Sequence, residues 1–439
     1  MALYPSLGSH HFAEEKDELD MKIFKFGGAS LKDADAVRNV AEILKIYSNE
    51  KIVVVVSAMG KTTNALEKLT RAHYYKDNNI SAFFDEVKTF HYSLIAELFP
   101  DEKTDVIQEL NTAFLEMEWA FEEENTKGFD YLYDQVVSQG EVISSRIVAA
   151  YLNRMNLKNH WLDARDFIKT DNSYREGKVD WELTVKCSND IIRKNFLDCN
   201  IVLTQGFIGA TSENHTTTLG REGSDYSAAI LAYALDAEEV IIWKDVPGVL
   251  NADPKKFKDT QKLDKISFQD AIELAYFGAS VIHPKTIQPL QNKNIPLWVK
   301  SFISPKEVGT MIGNNNATEP NIPSYIRKEN QVLISIAAKD FSFIVEENLS
   351  NIFSIFNHHK VKINLMQNSA ISFSVCVDKS EKLPSLIDDL KREYAVRYNE
   401  DLLLFTIRNY DQETIDRLTA GATIFLEQLS RHTVQLVVK

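Results

Sequence analysis

KIFKFGGASLKDADAVRNVAEILKIYSNEKIVVVVS, from Lys22 to Ser57, reads in three parts. Lys22–Phe26 is a short strand that runs into Gly27 and Gly28. From Asp33 onward, Val37, Val40, Ala41, Leu44 and Tyr47 recur at helical spacing. Lys51–Ser57 is an unbroken β-branched run, the pattern of a strand buried on both faces. Strand, helix, strand in that order predicts a parallel βαβ unit, hence an α/β fold with a mainly parallel sheet.

Working outward, residues 64–155 read as a long helical region. Val106, Leu110, Phe114, Met117 and Phe121 form one stripe in it, which is core packing and carries no chemistry. Strands are expected at Ile201–Thr204, Val240–Trp243 and Ile295–Lys300, with helices from about Ser224 and over Phe268–Phe277. These elements bound an α/β domain at about residues 21–310. Gly313–Pro323, rich in Asn and Pro, reads as part of a linker set at 311–325. Beyond it lies a weak repeat of a smaller unit over 326–439. Its strands fall at Val332–Ile336, Val361–Met366, Ile371–Val377, Leu402–Ile407 and Val434–Val438. Its helices are expected around Leu349–Phe356, at Leu383–Tyr394 and at Thr414–Leu429, and the second copy runs out of chain. Residues 1–20 are polar and irregular and are set aside as a tail or an added extension.

A net charge of -14 over 439 residues argues against nucleic acid or an anionic membrane as the main partner. No apolar run reaches the ~18 residues of a membrane span. Cys187, Cys199 and Cys376 form no CxxC pair, so neither a disulfide framework nor a zinc site is expected; no metal-ligating residue is assigned. The thiols suit a reducing cytoplasm.

Five stretches carry chemistry. In Lys25–Ser30 (KFGGAS) a lysine ends a strand and paired glycines follow, an arrangement that can cradle phosphate, or simply a turn with a surface lysine. Ser57–Asn64 (SAMGKTTN) is a hydroxyl-rich loop after a buried strand; it is no P-loop, because Val55 stands where that motif needs glycine. In Thr216–Ser227 (TTTLGREGSDYS), Gly220 and Gly223 frame a turn. Ser224 is expected to cap the next helix, with Asp225 in its first turn. Arg221 suits bidentate carboxylate recognition. Trp243–Lys255 (WKDVPGVLNADPK) is a strand-end loop of the kind that holds nucleotides. Gln139-Gly140-Glu141 offers one glutamate near a helix start, by itself an ordinary solvated or capping residue.

Together with TQGFIG (204–209) and FGASVIHP (277–284), these segments resemble the aspartokinases from Met21 to nearly the end of the chain. The resemblance implies a three-layer αβα amino-acid-kinase fold, followed by two interleaved, ferredoxin-like ACT units. It implies an ATP- and Mg²⁺-dependent kinase that makes 4-phospho-L-aspartate, the first step toward lysine, threonine and methionine. Lys25 matches the catalytic lysine, and Asp225 joins it. Gly27 and Gly28 match the phosphate cradle. Arg221 matches the clamp on the substrate α-carboxylate, in a turn with Gly223 and Ser224. Glu141 and Asp225 match acidic groups near the substrate amino group, and Ser57 and Thr63 match hydroxyls at the aspartate site. Lys244, Asp245, Leu250, Lys255, Ser280 and Val281 match the ATP side. The chain departs from the common pattern at Ala29 (usually Thr), Glu222 (Gly), Leu250 (often Tyr), Lys255 (Arg) and Ser280 (Lys).

Asn364, Gln367 and Asn368 stand on the stretch that meets the effector in lysine-inhibited members, or simply solvate a strand end; lysine, threonine or another amino acid is the expected effector. Asn364 and Ala370 replace acidic residues there. ACT pairing makes a homodimer or larger homo-oligomer the expectation, and no fused homoserine dehydrogenase is expected. Two alternatives remain: a kinase for another amino acid or carbamate, and an amino-acid sensor with a weak or dead kinase site.

Overall fold

The computed structural model describes residues 20–100, 105–122, 127–279, 282–314, 322–340 and 342–439. The N-terminal part opens with β1 (Met21–Phe26), α1 (Ala34–Ile46) and β2 (Lys51–Val56). Five helices follow: α2 (Thr62–Tyr74), α3 (Ile80–Leu98), α4 (Val106–Glu122), α5 (Phe129–Val137) and α6 (Gln139–Arg154). Then come β3 (Asn159–Trp161), α7 (Trp181–Ile192), β4 (Ile201–Gln205), the hairpin β5 (Ile208–Ala210) and β6 (Thr216–Thr218), and α8 (Gly223–Leu235). The part closes with β7 (Glu239–Lys244), β8 (Lys265–Ser267), α9 (Phe268–Phe277), α10 (Pro284–Lys293), β9 (Leu297–Ser301) and β10 (Thr310–Gly313).

Eight of these strands form one sheet in the order β3-β4-β2-β1-β7-β9-β10-β8. Every pairing except β9 with β10 is parallel. The period of two along β1 sorts its side chains. Phe24 and Phe26 join the core under α1–α6, while Met21 and Ile23 join the core under α7, α8 and α10. Lys25 shares the second face, so the same alternation that buries the strand aims this cation toward α8. That helix is buried nearly all round, and Ala228, Ala229 and Ala232 keep it slim.

The C-terminal part contains β11 (Ser324–Ala338), α11 (Glu346–His358), β12 (Ile363–Asn368), β13 (Ser372–Asp378), α12 (Leu383–Glu393), β14 (Tyr394–Arg408), α13 (Gln412–Thr419), β15 (Ile424–Leu429) and β16 (Thr433–Val438). Its six strands run β12-β13-β11-β14-β16-β15. The two 15-residue strands β11 and β14 pair along their whole lengths, with register shifts between Lys328 and Leu333. Beyond the shift, β11 completes a βαββαβ unit with α11, β12, β13, α12 and the start of β14. Before it, Ser324–Lys328 pairs with the end of β14. That short stretch is the edge strand of a second unit made by β14, α13, β15 and β16.

Several expectations are corrected. The helix drawn over Thr414–Leu429 ends at Thr419; Gly421 takes φ +73, and Ile424–Leu429 is a strand paired with β16. The second unit therefore has four strands. Among the described residues it has one helix, and Ala252 and Phe257 of the N-terminal part pack on its helix face beside Ile415 and Leu418. Strands β10 and β11 reach into the expected 311–325 linker. The strand expected at Ile371–Val377 is buried on both faces at its end, where Val375, Cys376 and Val377 are all fully buried, between helices on one face and a leucine cluster on the other. No described helix is long and apolar enough to cross a membrane.

Candidate active site

A cleft of about 1100 Å³ opens at the carboxyl ends of β1, β2 and β4, where ligands of parallel sheets collect. Lys25, Gly28, Ser57, Thr63, Glu141, Arg221, Gly223, Ser224 and Asp225 all line it. Four separate stretches of chain thus deliver these nine residues to one surface.

The floor is a buried ion pair. Lys25 Nζ lies 2.5 Å from Asp225 Oδ1, and Lys244 Nζ lies 3.9 Å from Asp225 Oδ2. Burial pushes the Asp225 carboxyl up, but the two ammonium groups outweigh it and hold the carboxyl below the usual range. Gly27 lies against Lys25: a Cβ there would sit 3.2 Å from Nζ. A Cβ on Gly28 would sit 2.9 Å from the carbonyl oxygens of both Ala58 and Gly60, so the two loops touch only because that residue is glycine. The Ser57 carbonyl accepts from Ser144 Oγ at 2.7 Å, which ties this loop to α6.

Glu141 forms the opposite wall. It is 2% exposed; Oε1 accepts from the Ala58 N–H at 3.4 Å, and Oε2 has no hydrogen-bond partner among the described residues. Burial pushes this carboxyl up to about 8, against the pull of the Ala58 N–H and Lys25. A buried carboxyl with an open oxygen suits a cationic ligand.

Five residues lining the cleft hold left-handed backbone: Gly60, Arg175, Phe207, Gly220 and Glu222, with φ from +55 to +78. For the three that are not glycine this costs on the order of 1 kcal/mol each, a concentration of strain typical of functional sites. Glu222, rather than Ser224, is the N-cap of α8, and Ser224 lies inside the first turn. The left-handed turn at Glu222 starts the helix two residues earlier than a Ser224 cap would and brings Ser224 into the wall.

Other expected residues lie elsewhere. Asp245 is exposed; Leu250 bridges to Lys262; Lys255 is exposed, with its N–H donating to Asp253. None of these three lines the cleft. Ser280 and Val281 lie outside the described residues. Asn364 is held in the seam between the two parts: Lys328 Nζ donates to its Oδ1 at 2.9 Å, and its Nδ2 donates to Gln331 and Asp378. Gln367 and Asn368 are exposed at the end of β12. The reading missed Tyr133, Tyr174, Arg175 and Phe207, which also line the cleft. The turn composition of Ser173-Tyr-Arg-Glu-Gly177 was the available signal.

The model of the amino acid kinase family matches residues 20–301. The lysine-sensitive aspartokinase 3 of Escherichia coli is 30% identical over 361 residues, which cover 82% of this chain and 78% of that protein. The chain belongs to the aspartokinase branch of the amino acid kinase family. Chloroplastic aspartokinase 1 of Arabidopsis thaliana is 33% identical over 370 residues; this chain spans 63% of its length. Escherichia coli aspartokinase III in complex with aspartate and ADP superimposes with a TM-score of 0.79 at 26% identity, covering 95% of this chain and 96% of that one. Its complex with lysine and aspartate gives 0.81 over the same span. The amino-acid-kinase fold followed by a second sheet is thus common to this chain and that relative.

Proposed function

We propose that this chain transfers the γ-phosphoryl group of ATP to the β-carboxylate of L-aspartate, giving 4-phospho-L-aspartate and ADP. One observation carries the reading: Lys25, paired with buried Asp225, shares a cleft with Arg221 and with the unpartnered oxygen of Glu141. A carboxylate oxygen of aspartate attacks the γ-phosphorus in line as the bond to the ADP oxygen breaks. The acceptor is already an anion, so no general base is needed, and the work is positioning and charge neutralisation.

Lys25 neutralises the transferring phosphoryl, Gly27 and Gly28 admit it, and Asp225 fixes the lysine. Arg221 pairs with the α-carboxylate of the substrate and Glu141 with its ammonium. Ser57, Thr63, Gly223 and Ser224 complete the aspartate subsite. Lys244, Asp245, Leu250, Lys255, Ser280 and Val281 belong to the ATP side. The lining holds six acidic side chains (Glu67, Asp130, Glu141, Glu176, Glu222, Asp225), of which Glu141 is pushed up by burial to about 8, against four cations (Lys25, Arg175, Lys178, Arg221). Two anionic reactants in such a cleft call for a divalent cation, and Asp225 would help hold Mg²⁺ when it is bound. Mg²⁺ supplies charge neutralisation across the phosphates.

An amino-acid effector, lysine or threonine, acting through the ACT units is part of the proposal, with Gln367 and Asn368 as exposed contacts. So are a homodimer and a cytoplasmic setting. The sensor-only reading gains no support, because both Lys25 and Arg221 line the cleft.

The test is direct. The protein is incubated with MgATP and a panel of acidic amino acids, the acyl phosphate is trapped with hydroxylamine, and the assay is repeated with lysine and with threonine. Hydroxamate should form with aspartate and fall with one effector. No hydroxamate from aspartate, or more from glutamate, would overturn the assignment.

A further inference from the structure

Asp134 lies on α5, outside the cleft, and is fully buried. A carboxylate taken out of water is expensive unless its lone pairs are filled. Here they are filled by two other segments. Asp134 Oδ2 accepts the backbone N–H groups of Arg175 and Thr218, each at 2.9 Å, and Oδ1 accepts the Thr218 hydroxyl at 2.7 Å. Burial still pushes the carboxyl up to about 6, against those three donors.

Both donor residues lead into the cleft. Arg175 is one of the left-handed residues, at φ +67, and its guanidinium sits 4.4 Å from the Tyr133 ring and 3.5 Å from Asp130. Thr218 ends β6, two residues before Gly220 and three before Arg221. Gly220 has φ +78, and a Cβ there would lie 3.3 Å from the Arg175 carbonyl oxygen. The Arg175 turn and the Arg221 turn are therefore in backbone contact, and Gly177 N–H donates to the Thr218 carbonyl at 2.8 Å beside them.

We infer that Asp134 is a positioning residue for the amino-acid end of the cleft: its buried carboxylate locks the Arg175 turn against the Arg221 turn. The inference rests on the aspartate-kinase reading and adds a residue to it. Asp134 touches no substrate. It sets the spacing of two guanidiniums that flank the site, and leaves Lys25 and the phosphate cradle on β1 alone. Its loss is felt in aspartate affinity, not in phosphoryl transfer.

Asp134→Asn keeps one acceptor and turns an N–H donor toward donors already there. In the full chain, steady-state assays with trapped hydroxamate, and calorimetric titration with L-aspartate, read the effect. The aspartate KM and Kd should rise roughly 10-fold or more, with kcat and the ATP KM changed by less than about threefold. Thr218→Val removes only the hydroxyl donor and should raise the aspartate KM by a few-fold; Thr218→Ser, which keeps it, should restore the wild-type value. A folded Asp134→Asn protein with unchanged aspartate KM overturns the inference, as does a joint fall of kcat and both affinities. If Asp134→Asn does not fold, the Thr218 pair decides, and identical KM values for the valine and serine variants overturn it. Failure of the underlying reading looks different: the wild-type protein itself forms no aspartyl hydroxamate.

Discussion

Lys25 and Arg221 are both cations at the cleft, yet their truncation should read differently. Lys25 acts on charge that develops as the phosphoryl moves, so Lys25→Ala should lower kcat by about 100-fold or more; near-normal turnover would remove it from that role. Arg221 holds a carboxylate that does not change, so Arg221→Ala should mainly raise the aspartate KM. Glu141 makes a third prediction. Its carboxyl, at about 8 in the folded protein, holds its proton at pH 7, and a substrate ammonium would draw that proton off. Titration with aspartate in buffers of different ionisation enthalpy should show release approaching one proton, absent in Glu141→Gln. The same shift has a sign for stability. Between the ordinary value of 4.5 and about 8, the folded state keeps a proton that the unfolded state has lost, so stability falls as pH rises through that window. Melting curves of Glu141→Gln should be flatter across it. Lys25, Arg221 and Asp225 were legible because each sits by a glycine turn after a strand. Asp134 and Arg175 were not, because nothing local to 134, 175 or 218 shows that they meet.

Among the elements, β1 and β2 were legible almost to the residue, since a β-branched run between two helices admits few alternatives. The segment 414–429 misled for a physical reason. Ile415, Leu418, Ala422 and Phe425 fall at helical spacing, but β16 offers a hydrogen-bonded edge and Gly421 permits the break. Phe425, the last residue of the apparent stripe, is exposed, as are Ile424 and Leu429 beside it. The loop after β1 supplies the prediction at this scale. Gly28→Ala puts a methyl 2.9 Å from two carbonyl oxygens and must part the loops after β1 and β2. Both substrates should be misaligned, with kcat/KM lowered about 10- to 100-fold for each, while far-UV circular dichroism is unchanged. Loss for one substrate only would show that the loops move independently.

Across the whole molecule, the two parts meet through a charged seam. The Arg408 guanidinium of β14 bonds Asp270 through Nε and Nη2, at 2.8 and 2.6 Å, and also pairs with Glu273; both acids are on α9. The arginine side chain is only 11% exposed. Arg408→Ala would leave the two neighbouring carboxylates of α9 at the seam without their shared guanidinium, and should cost about 1–3 kcal/mol, read as a lower Tm in thermal melting. A Tm unchanged within error would mean the seam is carried by its apolar contacts. None of this was legible in sequence, because a seam is a property of pairs some 140 residues apart.

The packing of Ala252 and Phe257 on the second ACT unit has a consequence for inheritance. That unit borrows its roof from the kinase half, so residues 322–439 are no free-standing cassette. Recombination that grafts this tail onto a distant relative would leave a bare apolar scar, unless the segment from Asn251 to Phe257 travels with it. Lineages that shuffle such tails should therefore exchange the loop and the tail together.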